Sequence, residues 1–162
     1  SSAVLNNVRL INSKDKGVSV GEESTALLIN SIVSDNEIGV ETKDGSNTYI
    51  VNSDLNNNNT QLNAYKKNWR YGSGGNVIVD KSIFRAADNK LNAEKKSSVQ
   101  IYDSSLRPLP KNLKKNVKVE ADSCHESTSP RVACRQVFIP SIEKFLRKHE
   151  VFTDSSVRGI LQ

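Results

Sequence analysis

The chain of 162 residues repeats one short phrase, in which two apolar residues are followed by Asn-Ser or a close relative. The phrase reads Leu-Ile-Asn-Ser at 10–13 and 28–31, Ile-Val-Asn-Ser at 50–53, Ile-Val-Asp-Lys at 78–81 and Ile-Tyr-Asp-Ser at 101–104. A unit of about 22 residues cannot bury its own apolar face, so its copies must stack on one another. The first 106 residues therefore predict a stack of similar coils.

A second apolar phrase lies between the copies of the first. It reads Gly-Val-Ser-Val at 17–20, Gly-Val-Glu-Thr at 39–42, Asn-Ala-Tyr-Lys at 63–66 and Asn-Ala-Glu-Lys at 92–95. Apolar residues alternate with a period of two, which is typical of strands, and no long segment shows a helical period. We expect three short strands per coil, with the insertions at 56–61 and 68–75 accommodated in loops.

The Asn and Asp residues of the first phrase have a physical role. Asn tolerates tight bends, including positive φ, better than other non-glycine residues. Side chains at equivalent bends of stacked coils can also bond to one another in a ladder. We therefore predict that these bends coincide in the stack, at Asn12, Asn30, Asn52, Asp80 and Asp103.

This pattern resembles the right-handed parallel β-helix proteins of the pectate-lyase-like kind, over residues 4–106. The segments 15–22, 64–68 and 72–75 are similar to bacterial β-helix repeats of unassigned activity. The resemblance implies an all-β, right-handed parallel β-helix of about 4–5 coils. A leucine-rich repeat would show helical spacing in each unit, and a β-sandwich would not need an aligned Asn/Asp column, so both alternatives are less favoured.

Residues 107–162 break the pattern and carry the charge. Residues 1–106 hold 12 basic and 12 acidic side chains, whereas 107–162 hold 11 and 6, which accounts for the net charge of +5. An open solenoid end exposes unpaired strand edges. We therefore predict two regions, β-helix repeats at 1–106 and a small, basic α+β C-terminal cap at 107–162. The cap would hold strands near 116–121 and 131–139 and a short helix after Ser141.

Two cysteines, Cys124 and Cys134, flank a Ser/Thr/Pro-rich loop in the predicted cap. Their spacing suits a disulfide between adjacent strands, which favours an oxidising compartment. A zinc site with His125 and His149 is the alternative, but the spacing matches no common ligand pattern. We expect a secreted, cell-surface or periplasmic protein with no bound metal or cofactor. The apolar runs are too short for a transmembrane segment, and the absence of Met indicates a processed chain or a fragment.

A candidate ligand groove follows from aligning the second phrases. The predicted outward column holds Ser19, Glu41, Tyr65 and Glu94, flanked by Gly21, Lys43, Lys67 and Lys96. The insertion at 68–71 carries Trp69, the only Trp, and aromatic faces stack on sugar rings. The candidate glycan-binding residues are Glu41, Tyr65, Lys67, Trp69, Tyr71, Glu94 and Lys96. The alternative is a solvated row of lysines balanced by acids.

A second candidate anion site is the basic run before Glu120, formed by Arg107, Lys111, Lys114, Lys115 and Lys118. It could hold an acidic polymer or a negatively charged surface, although such charge also serves solubility. No nucleic-acid motif accompanies it.

Catalytic patterns are sparse. Glu41 and Glu94 would lie about 9–10 Å apart in the predicted column, near the upper edge of the inverting glycosidase range. Asp35, Asp44 and Asp88 lie in separate turns and do not form an acidic calcium cluster. We therefore expect a non-catalytic module of an exported bacterial protein that binds acidic polysaccharide or acts as a spacer on the cell surface, alone or with other parts of a larger surface protein. A fragment of a polysaccharide lyase or glycoside hydrolase, and an oligomerising stalk, are the alternatives.

Overall fold

The structure is a computed structural model that describes residues 1–120. These residues form short strands and turns without a helix, as the period-two pattern predicts. The strands are β1 (Ser2–Asn6), β2 (Arg9–Ile11), β3 (Lys16–Val20), β4 (Thr25–Ile29), β5 (Ile32–Ser34), β6 (Ile38–Lys43), β7 (Asn47–Val51), β8 (Asp54–Asn56), β9 (Thr60–Tyr65), β10 (Asn76–Asp80), β11 (Ile83–Arg85), β12 (Leu91–Ala93), β13 (Ser98–Tyr102), β14 (Ser105–Arg107) and β15 (Val117–Val119).

The strands form three parallel sheets, and each coil contributes one strand in turn to each sheet. Sheet A has the order β1-β4-β7-β10-β13-β15, sheet B the order β14-β11-β8-β5-β2, and sheet C the order β12-β9-β6-β3. Every strand pairs in parallel with its counterpart in the next coil. The fold is therefore a parallel β-solenoid of about five turns, as the sequence predicts. A right-handed winding stays the prediction, in line with the preferred hand of parallel crossovers.

The core runs along the solenoid axis as columns of apolar side chains. In sheet B, Val33, Leu55, Phe84 and Leu106 occupy equivalent positions of successive coils and pack in one cluster. Most of the central core residues are fully buried, whereas Leu10 in the first coil is only partly buried. Each coil thus gains its apolar burial from its neighbours, which is how stacked repeats are stabilised.

At the bend between sheets A and B, successive coils place residues with positive φ at equivalent positions, as expected, but in one coil the residue differs from the predicted one. Asn30, Asn52 and Asp103 have φ of 51°, 47° and 39° at this bend, as predicted. The prediction was wrong for Asp80, which ends β10, because Lys81 with φ 47° occupies the bend in that coil. The side-chain amides of Asn52 and Asn30 are 2.6 Å apart and form one step of the expected ladder.

The prediction was also wrong for Asn12, which lies at a different bend. Asn12, Asp35 and Asn57 follow β2, β5 and β8 and have φ of 60°, 58° and 52° at the corner between sheets B and C. Asn7, with φ 57°, takes the equivalent place in the first coil at the bend between sheets A and B. Both columns favour the same residue types, so the phrase alone does not separate them.

Two ladders of buried polar side chains reinforce the bends. At the bend between sheets A and B, the backbone N–H of Ser31 donates to Ser53 Oγ at 3.1 Å and that of Ser53 to Ser82 Oγ at 3.1 Å. At the corner between sheets B and C, Asn36 Nδ2 donates to Asn58 Oδ1 at 2.8 Å, and Gln61 Nε2 to Asn89 Oδ1 at 3.0 Å. These buried groups are satisfied by the next coil, so the ladders set the register of the stack.

The segment assigned to the cap begins with a solenoid strand. β15 pairs in parallel with β13 and is the sixth strand of sheet A, near the strand expected at 116–121. The rest of the predicted cap, with its second strand, its helix and the disulfide between Cys124 and Cys134, lies outside the described residues. No helix long and apolar enough to cross a membrane is found within residues 1–120.

Candidate functional site

The outer face of sheet C carries two columns of polar side chains. The first holds Ser19, Glu41, Asn63 and Asn92, and the second holds Lys43 beside Tyr65, with Gly21 and Glu94 continuing it at either end. The predicted column, in which Tyr65 follows Glu41, was wrong by two residues between β6 and β9. A two-residue slip leaves the alternation of faces unchanged, so periodicity cannot detect it.

The correct register was available from the corner asparagines. Asn36 and Asn58 stack on each other, and each stands three residues before a position of sheet C, Gly39 and Gln61 respectively. Counting from these residues aligns β6 with β9 and brings Asn63 beside Glu41. Asn63 and Asn92 are the site residues that the sequence reasoning missed.

Glu41 lies on this face but is buried, with 2% of its surface exposed. Its Oε1 accepts hydrogen bonds from Lys43 Nζ at 2.8 Å and Ser19 Oγ at 3.2 Å. Lys43 Nζ also lies 2.8 Å from Ser19 Oγ. The carboxylate of this candidate glycan-binding residue is thus engaged by partners within the protein.

Tyr65 lies above this cluster and is partly buried. Burial raises the pKa of its hydroxyl, and the charge of the Glu41 carboxylate raises it further, while Lys43 opposes the shift. The phenol is therefore neutral at physiological pH. Its ring forms part of the outer surface of β9, which suits contact with a ligand.

Two amides continue the first column toward the C-terminal end. Asn92 Nδ2 donates to Asn63 Oδ1 at 2.6 Å, and Lys114 Nζ donates to Asn92 Oδ1. Asn116 Nδ2 donates to the Glu94 carbonyl at 2.8 Å, which fixes this end beside the second column. Glu94 itself is exposed. The face thus combines amides, hydroxyls and lysines, which are groups that hydrogen-bond sugars and anions.

The loop between β9 and β10 presents Trp69 beside this face. Asp44 Oδ1 accepts the backbone N–H groups of Lys67 at 2.8 Å and Asn68 at 2.7 Å. Asn68 in turn accepts the N–H of Arg70 on its side chain at 3.0 Å and that of Tyr71 on its carbonyl at 3.3 Å. The indole at the tip of this turn is 84% exposed.

The remaining groove candidates flank the loop. Lys67 and Lys96 are exposed, and Lys96 Nζ lies 3.5 Å from the Gly72 carbonyl, across the loop from Trp69. Tyr71 is partly buried at the base of the loop. The structure therefore places Lys67, Trp69, Tyr71 and Lys96 on one loop and its neighbouring turn, beside Tyr65 rather than in line with it.

The five basic residues of the second candidate site are all exposed but do not form one patch. Arg107 lies on sheet B beside Arg85, and Lys118 lies on sheet A beside Gln100. Lys114 reaches sheet C and ends its amide column. Lys111 and Lys115 lie in the connection between β14 and β15. One lysine of the rival site thus belongs to the groove.

Two further surfaces lie away from this face. The outer face of sheet A combines the buried side chains of Leu27, Ile29 and Val51 with a polar ladder of Asn47, Asn76 and Ser98. A cleft of about 320 Å³ at the corner between sheets B and C is lined by polar and charged side chains, among them Lys14, Asp35 and Glu37. Within residues 1–120, no group of three or more His, Cys, Asp or Glu side chains is placed to hold a metal ion.

The architecture defines the described part of the chain as a parallel β-solenoid with a polar face on sheet C. Comparison with family models, with curated proteins and with solved structures finds no match for the chain. Membership of the pectate-lyase-like proteins therefore stays a prediction from the repeat pattern.

Proposed function

We propose that this chain is a non-catalytic β-helix module that binds an acidic polysaccharide along the outer face of sheet C. The observation that carries the proposal is the position of Trp69, which is held on an anchored loop, is 84% exposed and stands beside a face of amides and lysines. An exposed indole on an ordered turn is a suitable platform for a sugar ring. The lysines give the face a preference for anionic chains.

The dimensions of the face suit an extended ligand. Its four strands, about 4.8 Å apart, span about 14 Å along the axis. Lys114 extends the face by one further position. Repeated groups at this spacing match a polymer better than a compact molecule. The solenoid then acts as a rigid support for the polysaccharide that lies across it.

The state of the carboxylates supports binding rather than hydrolysis. Glycosidases use two carboxyl groups that flank the scissile bond. On this face, Glu41 is buried and ion-paired with Lys43, and Glu94 lies in the other column. Neither carboxylate has a second free carboxylate opposite it, as a glycosidase pair would require. An exported, surface-bound location, with acidic polysaccharide or other parts of a larger surface protein as partners, completes the proposal and rests on the resemblance of the repeats.

The test is calorimetric titration with polygalacturonate oligomers. Trp69→Ala is expected to weaken binding by about tenfold, because an aromatic platform contributes more than one exposed charge. Lys67→Ala is expected to cost about 0–1 kcal/mol and to reduce the salt dependence of the affinity. Equal effects of the two substitutions would contradict the proposed stacking.

A charge reversal at Lys114 and Lys115 separates the two candidate sites. Lys115→Glu alone should change affinity little, whereas Lys114→Glu should weaken it, because only Lys114 contacts the face. If reversal at either position abolishes binding while Trp69→Ala has no effect, the basic segment carries the interaction. If no anionic glycan binds to the wild type, the module is a spacer.

A further inference from the structure

Two buried carboxylates lie directly behind the aromatic part of the face. Glu41 and Asp44 are 2% and 3% exposed, and they are the only charged side chains buried to this degree among residues 1–120. Glu41 lies in the second half of β6, and Asp44 follows the last residue of that strand. The coil that stacks on this corner supplies Tyr65 and Trp69.

Glu41 organises the side chains on the sheet itself. Lys43 lies across Gly21, where a Cβ would come within 3.0 Å of Lys43 Cε, and its ammonium group reaches Glu41. Lys43 is also the register partner of Tyr65 in the next coil, and the charge of Glu41 contributes, after burial, to raising the pKa of the Tyr65 hydroxyl. One buried charge therefore fixes a cation and interacts with an aromatic ring of the next coil.

Asp44 organises the loop. Its Oδ1 accepts two backbone N–H groups at the start of the loop, at 2.8 Å and 2.7 Å, and hydrogen bonds to an ionised acceptor are the stronger kind. The second of these N–H groups belongs to Asn68, the residue before Trp69. Asp44 adopts φ 54° in a turn with Gly45, whose N–H donates to the Gly74 carbonyl at 3.0 Å. The loop is thus held at both ends by this corner.

A purely structural role does not account for the placement. Burying a carboxylate is costly, and apolar groups of similar volume often stabilise a fold as well or better. The bonding partners of both carboxylates lie on the outer face and in the loop, Lys43 and Ser19 for Glu41 and the backbone of Lys67 and Asn68 for Asp44. Their contacts converge on the residues that form the proposed platform.

We propose that Glu41 and Asp44 are positioning residues that hold the binding face in place before the ligand arrives, Glu41 through Lys43 and Tyr65, and Asp44 through the turn that carries Trp69. This inference rests on the proposed function. Ordering the rings in advance removes an entropic cost from binding, so loss of either carboxylate should lower affinity although neither contacts the ligand.

Asp44→Gly tests the second half, because glycine accepts the left-handed φ without strain. Trp69 is the only Trp, so its fluorescence anisotropy decay reports the loop directly. We expect faster local motion and an affinity for polygalacturonate oligomers about tenfold lower. Asp44→Asn, which keeps the acceptor oxygen, should restore most of both. Asp35→Gly is the matched control, since Asp35 has φ 58° and is exposed.

Glu41→Gln tests the first half. The titration signal of Tyr65 is the one that disappears in Tyr65→Phe. In Glu41→Gln, the pKa of Tyr65 should fall toward its ordinary value, and the affinity for polygalacturonate oligomers should drop about tenfold. Glu37→Gln, which changes an exposed carboxylate outside the binding face, should do neither. The inference is overturned if folded Glu41→Gln and Asp44→Gly bind as well as their controls, or if Tyr65 titration and Trp69 anisotropy stay at wild-type values.

Failure of the proposed function gives a different result. If the wild type does not bind polygalacturonate, the binding role is lost for the whole face, yet the tyrosine titration and the anisotropy still decide whether the two carboxylates fix Tyr65 and Trp69. Circular dichroism melts separate these effects from unfolding. Should Asp44→Gly fail to fold, Asp44→Ser takes its place, because the shorter side chain withdraws the acceptor from the N–H groups of Lys67 and Asn68, and the same two readouts apply.

Discussion

Single hydroxyl groups connect the coils at the bend between sheets A and B. Ser53 Oγ accepts the N–H of Ser31 at 3.1 Å and donates to the Val51 carbonyl at 2.9 Å. The same arrangement recurs at Ser82 and Ser104. Each serine thus bridges its own coil and the preceding one, in a position where water has no access.

Ser53→Ala should destabilise the fold by about 1–3 kcal/mol, because it leaves the buried N–H of Ser31 without its acceptor. The free energy of unfolding in urea measures this loss. Ser73→Ala, at an exposed loop position, should stay within about 0.5 kcal/mol of the wild type. A ladder serine that behaves like Ser73 would show that the hydroxyl contributes nothing to the stack.

Asp80 gives stability a dependence on pH. Burial, opposed by the charge of Lys81 and aided by that of Asp103, raises the pKa of its carboxyl to about 6. Since this value exceeds that of the unfolded chain, the folded state holds the proton more tightly. The contribution is full below pH 3.8 and is lost as pH rises through about 6.

At pH 7.5, the free energy of unfolding of Asp80→Asn, measured in urea, should therefore exceed that of the wild type by about 1 kcal/mol, a value that allows for the partial exposure of Asp80. At pH 3.5 the two proteins should be equally stable. Asp103→Asn removes a charge that raises the pKa of Asp80, so this variant should lose less stability than the wild type between pH 3.5 and pH 7.5. A difference that is constant across this range would contradict the linkage.

At the scale of the strands, glycine sets how closely β6 packs against the corner. A Cβ at Gly39 would lie 2.7 Å from the Gln61 carbonyl oxygen and 2.9 Å from Asn58 Nδ2, which belong to the buried amide ladder. Gly39→Ala should cost about 1–3 kcal/mol and lower the melting temperature by several degrees. Gly72→Ala, with no atom within 4 Å of its Cβ, is the matched control and should melt as the wild type.

The strands and their faces could be predicted from the sequence, but not all of their registers. Alternation of apolar residues identifies the inner face of each strand, because the side-chain period is two. A slip by two residues preserves that face, so the alternation cannot distinguish Glu41 from Lys43 as the neighbour of Tyr65. Likewise, the repeated phrase cannot place Asn12 at the right bend, because both bends favour a left-handed Asn.

At the scale of the whole solenoid, packing between coils leaves some of the candidate glycan-binding residues exposed and buries others. Trp69 projects from the surface, since a polar insertion in a turn has little apolar neighbour surface to cover it. The burial of Glu41 was not predictable from its outward position, because it depends on Lys43 folding back over Gly21. Side-chain contacts between coils decide the site, and periodicity does not record them.

The most direct measurement of the central claim is a titration of Trp69 emission with polygalacturonate oligomers of increasing length. Because the chain has one Trp and its indole is 84% exposed, binding across the sheet C face should shift the emission to shorter wavelength and saturate. Affinity should rise with oligomer length until the face is filled. Binding by calorimetry that leaves Trp69 emission unchanged would contradict the account, as would the absence of any binding.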